Sequence, residues 1–383
     1  MSILNVFKSR RFRVPDVVAG TGLLLGAGLV VASVTAQLPG VALRESDQRP
    51  ALKAVHAPRS AMMAVAQAGQ RWVAVGERGL ILYSSDRGKS WNQSNVPVSV
   101  TLTSVSFAND RMGWAAGHYG TVLHTSDGGL NWQVQLDGQT AADLVLKEAQ
   151  NRADQSDERS VRRALFNAKR LVADGPDKPF LDVHFSNVRE GLVVGAYGLI
   201  LSTADGGNSW TPLNYNMDNP GERHLYSIAE ADDRVFIAGE EGLLFRSQAG
   251  TSGQQGWHFD RLETPYDGSF FTLSASGQRL VAAGLKGHAF GSLDAGESWH
   301  ELELPSDASV VASQLNARGD VLLVNQAGQL LKGKAFADSL RALPYDPVIA
   351  PTAMLRTSQQ SLLVSGLQGL AQVSIPSDQM SSK

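Results

Sequence analysis

Four aspartates stand in near-identical settings: Asp86 in SSDRGKSW, Asp127 in TSDGGLNW, Asp205 in TADGGNSW and Asp294 in SLDAGESW. A carboxylate between a hydroxyl residue and a glycine has the makings of a general acid or base, or of a calcium ligand. Either role needs several such groups to converge, and each of these lies in its own copy of a repeated unit. Local turn chemistry accounts for them instead. Asp bonds its own backbone and the glycine accepts positive φ, so the chain reverses. The tryptophan that closes each motif, Trp91, Trp132, Trp210 or Trp299, is left free to pack between units.

Other chemistry is thin. The eight histidines (His56, His118, His124, His184, His224, His258, His288 and His300) include no pair at metal-site spacing. With no cysteine, the chain offers no thiol nucleophile, thiolate metal site, disulfide or lipid-modified N-terminal Cys. Every GxxG sits between strands rather than opening a helix, so none is a phosphate loop. No catalytic residue, metal or cofactor is expected.

The unit that carries these motifs is a short strand, a GxxG reversal, a second strand, and the Asp turn. It is clearest in RMGWAAGHYGTVLHTSDGGLNW from Arg111 and recurs from Trp72, Gly191 and Arg279, with weaker copies from Arg234, Asp320 and Ser361. The second glycine of each reversal falls at Gly79, Gly120, Gly198, Gly242, Gly287, Gly328 and Gly369. The intervals are 41, 78, 44, 45, 41 and 41 residues, one of them long by about a period. A repeat in the forties with about four strands per unit is a β-propeller blade. The expected fold is all-β: a seven-bladed β-propeller over residues 49–376, with a helical insertion between blades 2 and 3. Arg49 to His56, RPALKAVH, reads as a lone strand and the last blade runs short, so pairing of the two is expected to close the ring.

The insertion, residues 138–178, reads as a helical hairpin. Thr140 and Asp143 are spaced as a capping box, and Gly175-Pro176 is the stop. Val161, Ala164, Leu165, Ala168 and Leu171 share one helical face, suited to a partner or to the propeller itself. Beside them stand Arg159, Arg162, Arg163, Lys169 and Arg170. Acids nearly balance these charges, which weakens a membrane-surface role.

The N-terminus has the layout of an export signal: a basic start, an uncharged run from Val17 to Ala36, and Val34-Thr35-Ala36 as a cleavage site. At about 20 residues the run exceeds the roughly 7–15 of a signal core and can span a bilayer. Residues 1–36 therefore serve as signal peptide or membrane anchor, with residues 37–48 a linker and 377–383 a polar tail. The propeller is expected outside the cytoplasm, soluble or tethered in the periplasm, with residues 17–36 the point of membrane contact. The formal charge is −3, and Lys8, Arg10, Arg11, Arg13 and Asp16 contribute +3, so the remainder stands at −6. That balance argues against a nucleic-acid partner.

In a blade that runs outward from the axis, the GxxG turns and the links between blades share one face, and the Asp turns occupy the other. The insertion is such a link. One face thus collects Arg78, His118, Tyr119, Tyr197, Glu240, Glu241 and Lys286 around the axis, with Arg159, Arg162, Arg163 and Arg170 on the arm at its rim. Exposed tyrosines and arginines are enriched where proteins bind one another.

The Asp motifs resemble the Asp boxes of BNR repeats. Preceded by GxxG hairpins, they are most similar to the photosystem II stability and assembly factor family over residues 50–376, the insertion excepted. The resemblance implies a seven-bladed, non-enzymatic factor that holds membrane protein subunits while a complex is built. In non-photosynthetic bacteria similar proteins are encoded beside exporters of the resistance-nodulation-division type, which implies an integral membrane protein or envelope complex as partner. The chain departs from the cyanobacterial lipoproteins in lacking Cys and carrying the arm. BNR repeats also build sialidases, which need an arginine cluster and two placed catalytic groups. The innermost strands supply only Arg356, Asp182 and Glu230. A glycan- or lipid-binding propeller is the alternative to a protein-holding one.

Overall fold

The computed structural model describes residues 45–249, 256–344 and 350–375. The expected export segment and the tail lie outside them. Seven antiparallel sheets follow one another along the chain, six of four strands and one of three. Their innermost strands are Met62–Ala68, Leu102–Phe107, Phe180–Phe185, Leu225–Ala231, Phe270–Ser276, Val310–Leu315 and Pro351–Ser358, which define blades 1 to 7. The chain is the seven-bladed propeller that its repeat implies.

The second strand of each blade explains the packing. Arg71–Gly76, Gly113–Gly117, Gly191–Gly195 and their counterparts are buried almost end to end on both faces, because each is sandwiched between neighbouring blades. Their sequences accordingly run apolar without alternation. Each box tryptophan packs against the blade before its own. Trp132 joins Val73, Val75 and Ile81 of blade 1, and Trp210 joins Trp114 and Val122 of blade 2.

Polar side chains tie the innermost strands to one another. The Ser104 hydroxyl donates to Asp182 at 2.6 Å, and the Ile228 N–H donates to the other Asp182 oxygen at 2.7 Å. Leu273 N–H donates to Ser227 Oγ, Gln314 Nε2 to Met354 O, and Thr352 Oγ1 to Met62 O at 2.7 Å, the last joining blade 7 to blade 1.

Closure does not use the expected strand exchange. Arg49 to His56 forms no strand, and among the described residues blade 7 has three. Instead the segment lies along the outer edge of blade 1. Ala51 N–H donates to Val96 O, Lys53 Nζ to Gln93 O, and Gln93 Nε2 to Leu52 O. Its alternation was not a burial pattern, since Leu52 and Val55 are 80% and 91% exposed. The ring is closed by Thr352, by Gln372 Nε2 donating to Arg87 O, and by the turn Ala57–Arg59 lodged against Gly369. A Cβ on Gly369 would stand 2.1 Å from Pro58 O, so only glycine admits that approach.

The insertion forms two helices, α1 (Gly138–Ala153) and α2 (Arg159–Asp174). The expected capping box is displaced by three residues. Asp137 is the N-cap, accepting the Thr140 N–H at 2.8 Å, while Asp143 accepts from Gln139 instead. Gly175, with φ of 88°, ends α2. The apolar stripe serves the chain itself: Leu165, Ala168 and Leu171 pack with Ala141, Val145 and Ala149 of α1.

Candidate functional site

The GxxG turns share a backbone device. In blades 1 to 5 the residue before the second glycine is left-handed without being glycine: Arg78 (φ 54°), Tyr119 (58°), Tyr197 (58°), Glu241 (52°) and Lys286 (54°). Such residues are uncommon and cost on the order of 1 kcal/mol each. Five in register are a requirement of the reversal, which in blade 1 closes by Gly76 N–H donating to Leu80 O and Leu80 N–H to Glu77 O. The arm rises from this same face, as Gly138 N–H donates to Tyr119 O at 2.8 Å.

The residues that sequence assigned to this face divide into two groups. Arg78, His118 and Lys286 are exposed, and Tyr197 is 47% exposed. Arg159 is exposed with no ion-pair partner among the described residues. The others are occupied within the protein. Glu240 accepts the His224 N–H at 3.0 Å, Glu241 pairs with Arg223, and Tyr119 is half-buried against the core of blades 1 and 2. On the arm, Arg162 pairs with Asp157 at 2.7 Å, Arg163 donates to Pro220 O, and Arg170 pairs with Glu222 at 3.2 Å. The arm is thus clasped to the link between blades 3 and 4, so its cations do not form an unoccupied row.

Sequence reasoning missed the centre of the face. Every innermost strand carries a register shift where it meets the GxxG turns, which skips Met63, Thr103, Leu181, Tyr226, Phe271, Val311 and Thr352. A bulge re-aims the skipped side chain. All seven are half-buried and five are apolar, forming a ring at one end of the axis. From it an aromatic series leads outward: Phe271 to Tyr226 at 5.4 Å, Tyr226 to His224 at 6.1 Å, and His224 to Tyr197 at 5.3 Å between ring centroids. Lys178 Nζ stands 5.7 Å from the Tyr197 ring. Burial, reinforced by Glu240, pushes the Tyr226 phenol up to about 12, so it remains a neutral donor. The available signal was a pair of adjacent apolar residues at the start of an inner strand, Phe270-Phe271 and Leu225-Tyr226, which strict alternation cannot place on one face.

Deeper in the ring, His184 Nε2 lies 2.5 Å from Glu230. Burial pushes the Asp182 carboxyl up, against the bonds from Ser104 and Ile228. Burial also works against ionisation of Glu230, but its bonds to His184 and Ser186 outweigh it and hold that carboxyl below the usual range. Arg356 donates to the carbonyls of Ser358 and Gln359. The two carboxylates are therefore joints between strands, and the arginine braces the turn that ends its own strand. No group of three or more His, Asp or Glu among the described residues can hold a metal ion.

Each Asp box closes a turn on itself. Asp86 accepts from the Ser90 N–H and hydroxyl at 2.9 and 2.6 Å and from Ser84, and Asp294 does the same with Ser298 and Ser292. The Ser90 and Ser298 hydroxyl bonds foremost hold these two carboxyls at about 2. Asp127 and Asp205 have the same geometry with Asn131 and Ser209, whose bonds prevail over burial to keep both below the usual range. All eight oxygens point into their own turns, and none is aimed at another box.

Residues 54–154 and 165–333 match the sequence model of the family described as photosynthesis system II assembly factor YCF48. The chain belongs to the Ycf48 family. Over 149 residues it is 28% identical to the photosystem II assembly lipoprotein Ycf48 of Synechococcus sp. (strain CC9902), and over 78 residues 35% identical to that of Trichormus variabilis (strain ATCC 29413 / PCC 7937). These stretches cover 39% and 20% of this chain and 44% and 21% of the relatives, less than half of the Ycf48 lipoproteins' own length. A solved structure titled YCF48 bound to D1 peptide has a TM-score of 0.58 at 15% identity, covering 86% of this chain and all of that one. At that identity the likeness concerns the fold. The Ycf48 model passes over residues 155–164, the tip of the arm and the start of α2. Among the described residues no helix is long and apolar enough to cross a membrane.

Proposed function

We propose that this Ycf48-family chain is an exported, non-enzymatic assembly factor that binds an extended segment of an integral membrane protein across the GxxG face. The observation that carries the reading is the apolar ring at the axis and its aromatic extension to Tyr197. Half-buried aromatic surface with few charges is what an extended apolar chain would cover. The side chains that resemble catalytic groups are already spent on strand and turn bonds. A solved Ycf48 that holds a D1 peptide supports the peptide reading. The genomic company of similar proteins favours a resistance-nodulation-division exporter as partner, held in the periplasm.

The test combines Arg78→Glu and Lys286→Glu with Tyr119→Ala and Tyr197→Ala. All four positions are left-handed turn residues that lie outside the paired strands. The tagged variant is expected to capture its membrane protein from detergent-solubilised envelope at least about tenfold less well, since interface tyrosines and arginines carry about 1–2 kcal/mol each. Its melting temperature should fall only by what Tyr119 contributes to the core of blades 1 and 2, a shift that the single variant Tyr119→Ala measures and that should leave capture largely intact. Undiminished capture would place the binding face elsewhere.

A further inference from the structure

α2 has two unlike sides. One packs on α1 and lies over the blade 3 turn, where Tyr197 and Gly198 sit beneath it. Phe166, two residues before the buried Ala168 and so about 200° round the helix from it, points the other way. It is 65% exposed, the most exposed aromatic ring among the described residues. Arg159 and Lys169 flank it on that side, both exposed and without an ion-pair partner among the described residues. We propose that this outer side of α2 docks on an anionic phospholipid surface, with Phe166 entering the headgroup layer and Arg159 and Lys169 meeting the phosphates.

Three observations favour that occupant. The first is charge. Acids nearly balance the cations over the insertion as a whole, but α2 itself carries five cations and one acid, Asp174. Elsewhere on the arm, Glu148 is held by Arg152 within α1 and Asp157 by Arg162 at the tip. With Arg163 and Arg170 turned to Pro220 and Glu222, the outer side keeps one cation seven residues before Phe166 and another three after it. The second is shape. A convex helix with a single ring between long cations has no groove for a protein side chain, whereas in a bilayer interface the ring sits among headgroups and Arg and Lys reach the phosphates. The third is where the chain enters. Ser46 O accepts the Ser99 N–H at 2.7 Å, Ser99 lies against Gly79 of the blade 1 turn, and α1 leaves from the blade 2 turn next to it. Residues 17–36, the membrane contact expected from sequence, thus lead into the propeller on the face that carries the arm. The Ycf48 relatives named above are lipoproteins, whereas this chain has no cysteine to carry a lipid. Docking of α2 would supply a surface contact of its own and fix how the GxxG face is turned to the membrane. The proposal stands apart from the peptide reading, since none of the four substitutions that test that reading lies on the arm.

Because the chain has no cysteine, Ala173→Cys gives the full chain a single site for an environment-sensitive fluorophore, exposed on the same side of α2 as Phe166. The label is expected to brighten on vesicles of phosphatidylcholine mixed with phosphatidylglycerol and to stay dim on phosphatidylcholine alone. Arg159→Gln with Lys169→Gln should lower the ratio of docked to undocked arm roughly thirtyfold, and Phe166→Ser about tenfold. All three positions are exposed, so these variants should melt with the unmodified protein. The same label at Lys89→Cys, on the opposite face, should stay dim on both lipids. A label at position 173 that stays dim on the mixed vesicles would overturn the proposal, as would equal brightening on both lipids or brightening at position 89 as well. Brightening only on addition of detergent-solubilised envelope protein would assign this side of α2 to a protein partner and overturn it likewise.

Discussion

Trp114→Ala is expected to destabilise the propeller by about 3–5 kcal/mol, the range for emptying a fully buried aromatic site. Trp114 has no exposed surface and stacks on Phe185 with centroids 3.5 Å apart and planes 4° from parallel. Phe185 in turn meets Trp210 edge-on at 6.2 Å. The three rings join the second strand of blade 2, the first of blade 3 and the Asp box of blade 3. Trp114 Nε1 also donates to Gln135 Oε1 at 3.0 Å, which in turn is tied to Gly206 O through Nε2. Alanine would leave a cavity between two rigid sheets that have no means of closing on it. A lower urea midpoint at unchanged slope would report the loss. A loss below about 1 kcal/mol would mean that blade contacts are far more redundant than this packing implies.

Asp182→Ala should cost about 1–3 kcal/mol, because the Ile228 N–H, on a residue only 8% exposed, loses its acceptor. Asp182→Asn should cost much less. Its carbonyl can face Ile228 N–H, and its amide can donate to Ser104 Oγ. The two variants also separate hydrogen bonding from charge. Burial raises the Asp182 carboxyl, so the native state holds its proton more tightly than the unfolded chain does. The contribution is full below the unfolded value, about 3.9, and is lost as pH rises through the raised native value. The opposite sign holds for Asp86, Asp127, Asp205, Asp294 and Glu230, whose lowered carboxyls lose their contribution as pH falls. Subtracting the pH–stability curve of the Asp182→Asn variant from that of the unmodified protein isolates the first trend. The unmodified protein should lose ground to the variant as pH rises above about 4. A flat difference would show that Asp182 is not held against its own charge.

What was legible in the chain was whatever repeats. The glycine intervals give seven blades because each GxxG obeys the same backbone constraint, and the box motifs announce themselves because one carboxylate must satisfy one turn. Features that depend on a single event were harder to read. RPALKAVH alternates like a strand, but its fate is decided by its own Lys53 donating to Gln93 O and by Gln93 donating back to Leu52 O, contacts no period reports. Thr140 and Asp143 have capping-box spacing, yet Asp137 reaches the helix start first. The bulges hid the centre of the site: one skipped residue in each inner strand puts Phe271 and Tyr226 where simple alternation would put their neighbours. On the arm, composition counted five cations in α2 but could not show that Arg163 and Arg170 hold the helix to Pro220 and Glu222.

The reading that joins these elements is that one face grips a membrane protein. Lysine-directed crosslinking in intact envelope, read by mass spectrometry, tests it without assuming the partner. Lys286 stands in a GxxG turn, Lys147 and Lys169 on the arm, and Lys89 in the Asp-box turn of blade 1, and all four are exposed. Crosslinks to one integral membrane protein from Lys286 and from Lys147 or Lys169, with none from Lys89, are the expected result. Crosslinks to that protein confined to Lys89 would place the grip on the opposite face and contradict the account.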